Sequence, residues 1–342
     1  MLAIVADDLT GALDTGSPFA GRGLHTEVAI GVEAIADALA EEPAVLSINL
    51  GSREFDEAHA AALARAAYQA LPRGTRIFKK VDSRLKGHVA AELDAISYRK
   101  ALVAPAIPAF GRIVRDGCVE GFGVARPIRI ADRLGGHAER CRVADTVSDA
   151  DMDAALETAE REDLDLLVGA RGLAEALARR MTGGKIPQSV EPPEGAGLFV
   201  IGSHDPITLA QVETLRARGD VDYLSAPNGR LGTVSPKGGR VVLVQATQGS
   251  DAVSAQDVSA CLAGGVHPEL TSRARTLLLS GGATAEAVLS RMGVRRFRLH
   301  GECLPGLGLA YAGDQCIIAK SGGFGAPDTL AILASRILRD MD

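Results

Sequence analysis

Short apolar runs alternate with segments of helical period along most of the chain. Residues 2–6 (LAIVA) read as a buried parallel strand, followed by a glycine-containing turn and a helical pattern from about Ala12 to Gly21. The same grammar recurs. AVLSINL at 44–50 precedes a helix from about Glu57 to Leu71, RIFKKV at 76–81 precedes one from about His88 to Ile96, and ALVAP follows at 101–105. An Ala-rich helix after residue 150, a strand LDLLVGA at 164–170 and a helix RGLAEALARRM at 171–181 complete this half. TGGKIPQSVEPPEGAG at 182–197 then interrupts the pattern with three prolines, four glycines and no hydrophobic period. Beyond it the alternation restarts with GLFVIGS at 197–203 and a helix from about Ile207 to Arg218. Further strands are read at RVVLVQA (240–246), RTLLLSGG (275–282) and QCIIAKSGG (315–323). The pattern predicts an α/β fold in two domains, 1–190 and 191–342. Each is a mainly parallel sheet covered by helices, with an active-site cleft between them.

Length agrees, since 342 residues exceed what one core usually supports. Charge narrows the partners. A net charge of -6, 4% aromatic residues and no Trp leave neither the basic face nor the stacking rings of a nucleic-acid binder. The start, MLAIVADDLTG, lacks a positive leader, and no apolar stretch reaches the length of a membrane span. Five scattered cysteines, never spaced CxxC, argue against a disulfide framework or a zinc site. A cytoplasmic protein is expected, without membrane or nucleic-acid partners.

Three clusters carry candidate chemistry. In VADDLTGALDTG (5–16), Asp7 and Asp8 stand side by side at a strand end with Thr10, Gly11 and Asp14 behind them. Such a pair can orient a hydroxyl, accept its proton or hold a metal. The competing reading is that one caps the next helix and the other is solvated. In FKKVDSRLKGH (78–88), Lys79, Lys80, Arg84 and Lys86 surround Asp82 and Ser83. These cations suit an acidic substrate, with Arg84 able to pair bidentately with its carboxylate, and strand alternation puts only one of Lys79 and Lys80 on a given face. A charged surface segment is the alternative. Third, VIGSHDP (200–206), LLSGGATAEAVL (278–289) and AKSGGFGAP (319–326) each run from a strand into small residues, and Gly281, Gly282 and Thr284 open a helix directly. Backbone amides in such turns approach phosphate oxygens closely. Neither GxxxxGK nor a GxGxxG fingerprint is present, so this is neither a P-loop nor a Rossmann site. Arg112, in a Pro- and Gly-rich excursion, is either directed inward or on a surface loop, and His204 reads as a structural residue.

In order along the chain, VADDLTGALD, NLGSR, KKVDSRLKG, APAIPAFGR, IGS, SGGATA and KSGGFG resemble the four-carbon acid sugar kinase family over nearly its whole length. The resemblance implies an N-terminal domain that binds a sugar acid such as threonate, erythronate or an oxo-tetronate, and a C-terminal domain that binds ATP with Mg²⁺. It implies Asp7, Asp8, Arg53, Asp82, Arg84 and Lys86 at the substrate, with Lys80, Ser83 and Gly87 from the same segments. For the nucleotide it implies Ser203, Gly281, Gly282, Ala283, Thr284, Gly322, Gly323 and Gly325. The expected reaction is phosphorylation of a hydroxyl, with Asp8, Asp82 or Asp7 as proton acceptor. The alternative is a regulatory protein that binds sugar acid and nucleotide with weakened catalysis. The chain departs from the family at Ala283, where an acidic residue is usual, and at DSRLKGH, where Arg84 and His88 stand in altered places. The metal ligands, the particular acid and pairing with a second copy are left open.

Overall fold

The structure is a computed structural model that describes residues 1–232 and 240–338. Its chain divides into two units, Met1–Gln188 and Ser189–Asp342.

In the first unit, β1 (Leu2–Ala6) leads into α1 (Leu9–Ala20), then β2 (Thr26–Ile30), α2 (Ile35–Leu39), β3 (Val45–Asn49) and α3 (Glu57–Ala70). β4 (Arg76–Lys80), α4 (Val89–Leu93) and β5 (Ala101–Ala104) follow. A small excursion holds β6 (Arg112–Arg115), β7 (Cys118–Gly121), β8 (Ile128–Arg129) and α5 (Ile130–Leu134). The unit closes with β9 (Cys141–Val143), α6 (Asp149–Arg161), β10 (Leu166–Gly169) and α7 (Arg171–Met181). Among the described residues its main sheet is wholly parallel, in the order β2-β3-β1-β4-β10-β5-β9, and β6-β7-β8 is a separate antiparallel sheet. Every residue of β1 and β3 is buried, because helices cover both faces. Phe19, Phe78, Leu102 and Leu167 pack on one side, while Val5, Ile35 and Ile48 pack on the other.

The second unit runs β11 (Gly197–Ile201), α8 (Pro206–Arg216), β12 (Val221–Pro227), β13 (Val241–Thr247), α9 (Ala255–Val266), β14 (Thr276–Ser280) and α10 (Gly282–Arg291). It continues with β15 (Arg296–Leu304), β16 (Leu307–Ala312), β17 (Gln315–Lys320) and α11 (Thr329–Ile337). The order β12-β13-β11-β14-β17 is parallel, and β16 and then β15 extend it antiparallel. Phe199, Leu243, Leu278, Ile318 and Leu333 belong to its core. No helix among the described residues is long and apolar enough to cross a membrane.

Helix α1 begins earlier than its apolar pattern predicts, at Leu9 instead of Ala12, because Asp8 caps it and so recruits Thr10 and Gly11 into the first turn. Strands β2, β6, β7, β8, β9, β12, β15 and β16 are absent from the sequence reading. Buried Thr26 and Glu27 break the apolar run of β2. β15 alternates buried and open positions, as an antiparallel strand does when one face is less covered.

Candidate active site

In the first unit β3, β1 and β4 lie side by side and parallel, so the loops leaving them open at the same end of the sheet. These loops carry Asp7 and Asp8, then Arg53 in the 3-10 turn Ser52–Glu54, then Asp82–Gly87. Arg53 binds them together. Its Nε and Nη2 donate to the two oxygens of Asp7, both at 2.8 Å, and its Nη1 donates to Asp8 Oδ2 at 2.6 Å. Asp8 also accepts the amide of Gly11 at 2.8 Å and the hydroxyl of Thr10 at 3.0 Å. One carboxylate thus caps the helix, but its neighbour is not solvated, since Asp7 is only 3% exposed.

The two carboxyls are driven apart. Burial works against ionised Asp7, but Arg53 outweighs it with help from Lys79 and Lys80, and its pKa falls below the ordinary range. At Asp8 burial dominates. Arg53 opposes it, the charge of Asp7 reinforces it, and the pKa rises. Gly87 closes over this pair with φ 86°, and a Cβ there would stand 2.5 Å from Asp7 Oδ2, so conformation and space both require glycine.

Lys79 and Lys80 point to opposite faces of β4 and are both buried. Lys80 Nζ donates to the carbonyl of Val81 at 3.0 Å and lies beside Gly11, whereas Lys79 pairs with Glu92. Asp82 is half-buried, and its Oδ1 accepts the amide of Arg84 at 2.8 Å. Ser83 is buried and accepts from Arg112 Nη1 at 2.5 Å. Arg112 is therefore directed inward. Its guanidinium is less firmly protonated than usual through burial and the like charge of Arg84, against the pull of Asp82 and Asp14. Arg84 is half-buried and Lys86 exposed, and among the described residues neither forms an ion pair. Asp14 pairs with Arg171 at 3.0 Å.

In the second unit β11, β14 and β17 are adjacent, with Ile201, Ser280 and Lys320 in neighbouring register. The three small-residue turns therefore lie together. The amide of Gly202 donates to Ser280 O at 3.1 Å and that of Gly281 to Lys320 O at 3.0 Å. A Cβ on Gly322 would meet Ser203 Oγ at 2.2 Å. Gly281, at φ 102°, precedes α10 without a side-chain cap, so the first-turn amides of Gly282, Ala283 and Thr284 are open to an anion. Ala283 is exposed and Thr284 is buried next to Ser259, with 3.4 Å between the hydroxyls. Gly323 and Gly325 continue the loop that leaves β17. His204 is exposed.

Sequence reasoning passed over several residues that hold these turns. Lys320 is fully buried. Its Nζ donates to Thr208 Oγ1 at 2.9 Å and to the carbonyls of Ser321 at 3.0 Å and Gly322 at 3.4 Å. Asp205 caps α8 through Ile207, and Gln211 Nε2 donates to the carbonyls of Phe324 and Ala326. A lysine closing the apolar run QCIIA was the available signal.

Residues 2–128 match a family model described as a sugar-binding N-terminal domain, and residues 198–330 match one described as a nucleotide-binding C-terminal domain. The D-threonate kinase of Cupriavidus necator is 28% identical over 400 residues, covering 96% of this chain and 95% of that protein. The 3-oxo-tetronate kinase of the same organism is also 28% identical, over 414 residues, with 96% and 95% covered. A crystal structure from Salmonella typhimurium LT2 shares the fold, with a TM-score of 0.70 at 19% identity, covering 100% of this chain and 99% of that one. Two domain models in the same tandem order, with relatives aligned nearly end to end, lead to one conclusion: the chain belongs to the four-carbon acid sugar kinase family.

Proposed function

We propose that this phosphotransferase moves the γ-phosphoryl group of ATP onto a hydroxyl of a four-carbon sugar acid, such as threonate, erythronate or an oxo-tetronate. One observation carries the reading. The unit matching a sugar-binding domain gathers carboxylates and cations at its strand ends, and the unit matching a nucleotide-binding domain gathers glycine turns and an uncapped helix start at its own.

Arg84, with Lys86 nearby, would take the acid's carboxylate, the guanidinium fork matching its two oxygens. The amides of Gly282–Thr284 and of the turn bearing Gly322, Gly323 and Gly325 would hold phosphate oxygens, with Ser203 beside them. Asp82 is the proposed proton acceptor. Both oxygens of Asp7 and of Asp8 are engaged, whereas Asp82 Oδ2 accepts no hydrogen bond among the described residues. Asp7 and Asp8, fixed by Arg53, would then align the sugar hydroxyls. Most of the acceleration in such a transfer comes from positioning and charge neutralisation.

Among the described residues no three His, Cys, Asp or Glu side chains gather as an ion site, which fits Mg²⁺ held largely by the nucleotide's own phosphates. Asp205 is the protein carboxylate suited to join them, because its Oδ1 takes the amide of Ile207 and its Oδ2 faces Gly323. The ion would supply neutralisation of the phosphate charge. Five free thiols fit the reducing, ATP-supplied cytoplasm.

The test is ADP release with ATP, Mg²⁺ and a panel of four-carbon acids. Turnover on at least one acid is expected. Binding of acid and nucleotide without turnover would overturn the proposal in favour of a regulatory binding protein. Asp82→Asn should lower kcat by about 10²–10⁴-fold with little change in unfolding temperature. Asp7→Asn should instead cost about 1–3 kcal/mol of stability, because it leaves half-buried Arg53 with Asp8 as its one remaining charged partner among the described residues. Retained turnover in Asp82→Asn would move the proton acceptor to Asp8.

A further inference from the structure

A second buried ion pair lies behind the carboxylate cluster. Lys79 and Glu92 are each 1% exposed and paired. Every polar atom of the pair is engaged. Lys79 Nζ also donates to Lys80 O at 2.8 Å and Val5 O at 3.4 Å, and Glu92 Oε1 accepts the hydroxyl of fully buried Ser52 at 2.5 Å. Ser52 adjoins Arg53 in the same 3-10 turn, and the amide of Arg53 also donates to Asp7 O at 3.3 Å. Glu92 comes from α4, the element that follows the Asp82–Gly87 loop, and Lys79 from the strand that precedes it. One carboxylate thus joins the turn bearing Arg53 to both ends of the loop bearing Asp82 and Arg84. Matched apolar side chains of similar volume often give equal or greater stability than a buried ion pair, so core stability alone is a weak account of charges at these positions.

We infer that the Lys79–Glu92 pair, acting through Ser52, is a positioning device that sets Arg53 against Asp7 and Asp8 and fixes its register with the Asp82–Arg84 loop. The inference rests on the sugar-acid reading of this site for its kinetic consequence, but not for its structural one.

The test replaces both charges at once, Lys79→Met with Glu92→Met, so that neither is stranded. The double variant should unfold within a few degrees of the parent. A crystal structure should show Arg53 no longer bidentate on Asp7. The KM for the sugar acid should rise about 10- to 100-fold while the KM for ATP is unchanged. Ser52→Ala removes only the link to the turn. It should shift Arg53 and the acid KM in the same direction by a smaller factor, and it keeps the test open if the double variant does not fold. A folded variant of either kind with Arg53 still on Asp7 and parental acid KM would overturn the inference. If the parent phosphorylates no sugar acid, the functional reading fails, and the crystallographic position of Arg53 alone decides the inference.

Discussion

Lys320 ends an apolar strand with its ammonium enclosed and turned back onto its own loop. Burial lowers its pKa from 10.5 to about 8, with Asp205 pulling weakly the other way. Because the folded value lies below the unfolded one, between pH 8 and 10.5 the unfolded chain holds the extra proton. Stability therefore gains from this residue as pH rises through that window, and below it the burial penalty is fully present. Lys320→Met should abolish the rise, as urea midpoints followed across the window would show. A bound phosphate favours the charged amine, so the KM for ATP should climb above pH 8, by at most about tenfold per pH unit. The KM for the acid should not. Lys79 and Lys80 share the habit of donating to adjacent main-chain carbonyls. At all three positions a charge on the sequence marks a braced loop, and Lys80, read as a substrate ligand, also braces the chain beside Asp8.

At the scale of elements, the loop after β4 is fixed by glycine at its far end. Gly87→Ala would need a left-handed alanine and would press a methyl on Asp7. A loss of about 1–3 kcal/mol is expected in denaturant titration, with a raised KM for the acid and an unchanged KM for ATP. This loop also shows where sequence reading succeeds and where it stops. The parallel strands were legible because burial on both faces makes them continuous apolar runs. The clustering of Asp, Arg and Gly after them followed from the rule that parallel strands deliver their loops to one end. Invisible were β2, whose Thr26 and Glu27 are buried polar residues, and the Ser52–Glu92–Lys79 bridge, whose bonded partners lie 40 and 13 positions apart with no shared period. Long-range side-chain pairing leaves no local trace in one sequence. Asp8 was legible only as an ambiguity between cap and ligand, and the structure makes it both a cap and a partner of Arg53.

Across the whole molecule, each unit holds its own core, and each family model falls within one unit. Ligand protection should be partitioned accordingly. Hydrogen exchange with a non-hydrolysable ATP analogue should slow at 201–205, 280–284 and 321–325, whereas a sugar acid should slow exchange at 50–54 and 82–88. Slowing at both sets by either ligand alone would contradict this division. The order of the two chemistries along the chain was readable from composition, since the cationic segment and the glycine turns are far apart in sequence. Their internal assembly was not.

Ala283 sits exposed in the opening turn of α10, where the family resemblance led to the expectation of an acid. A methyl group there leaves the positive pole of that helix without a built-in counter-charge. Because the position is exposed, its occupant can change with little repacking. On the proposed assignment of phosphate to the start of α10, nucleotide affinity should be adjustable at this one exposed position with little effect on the forces that keep the sheet folded.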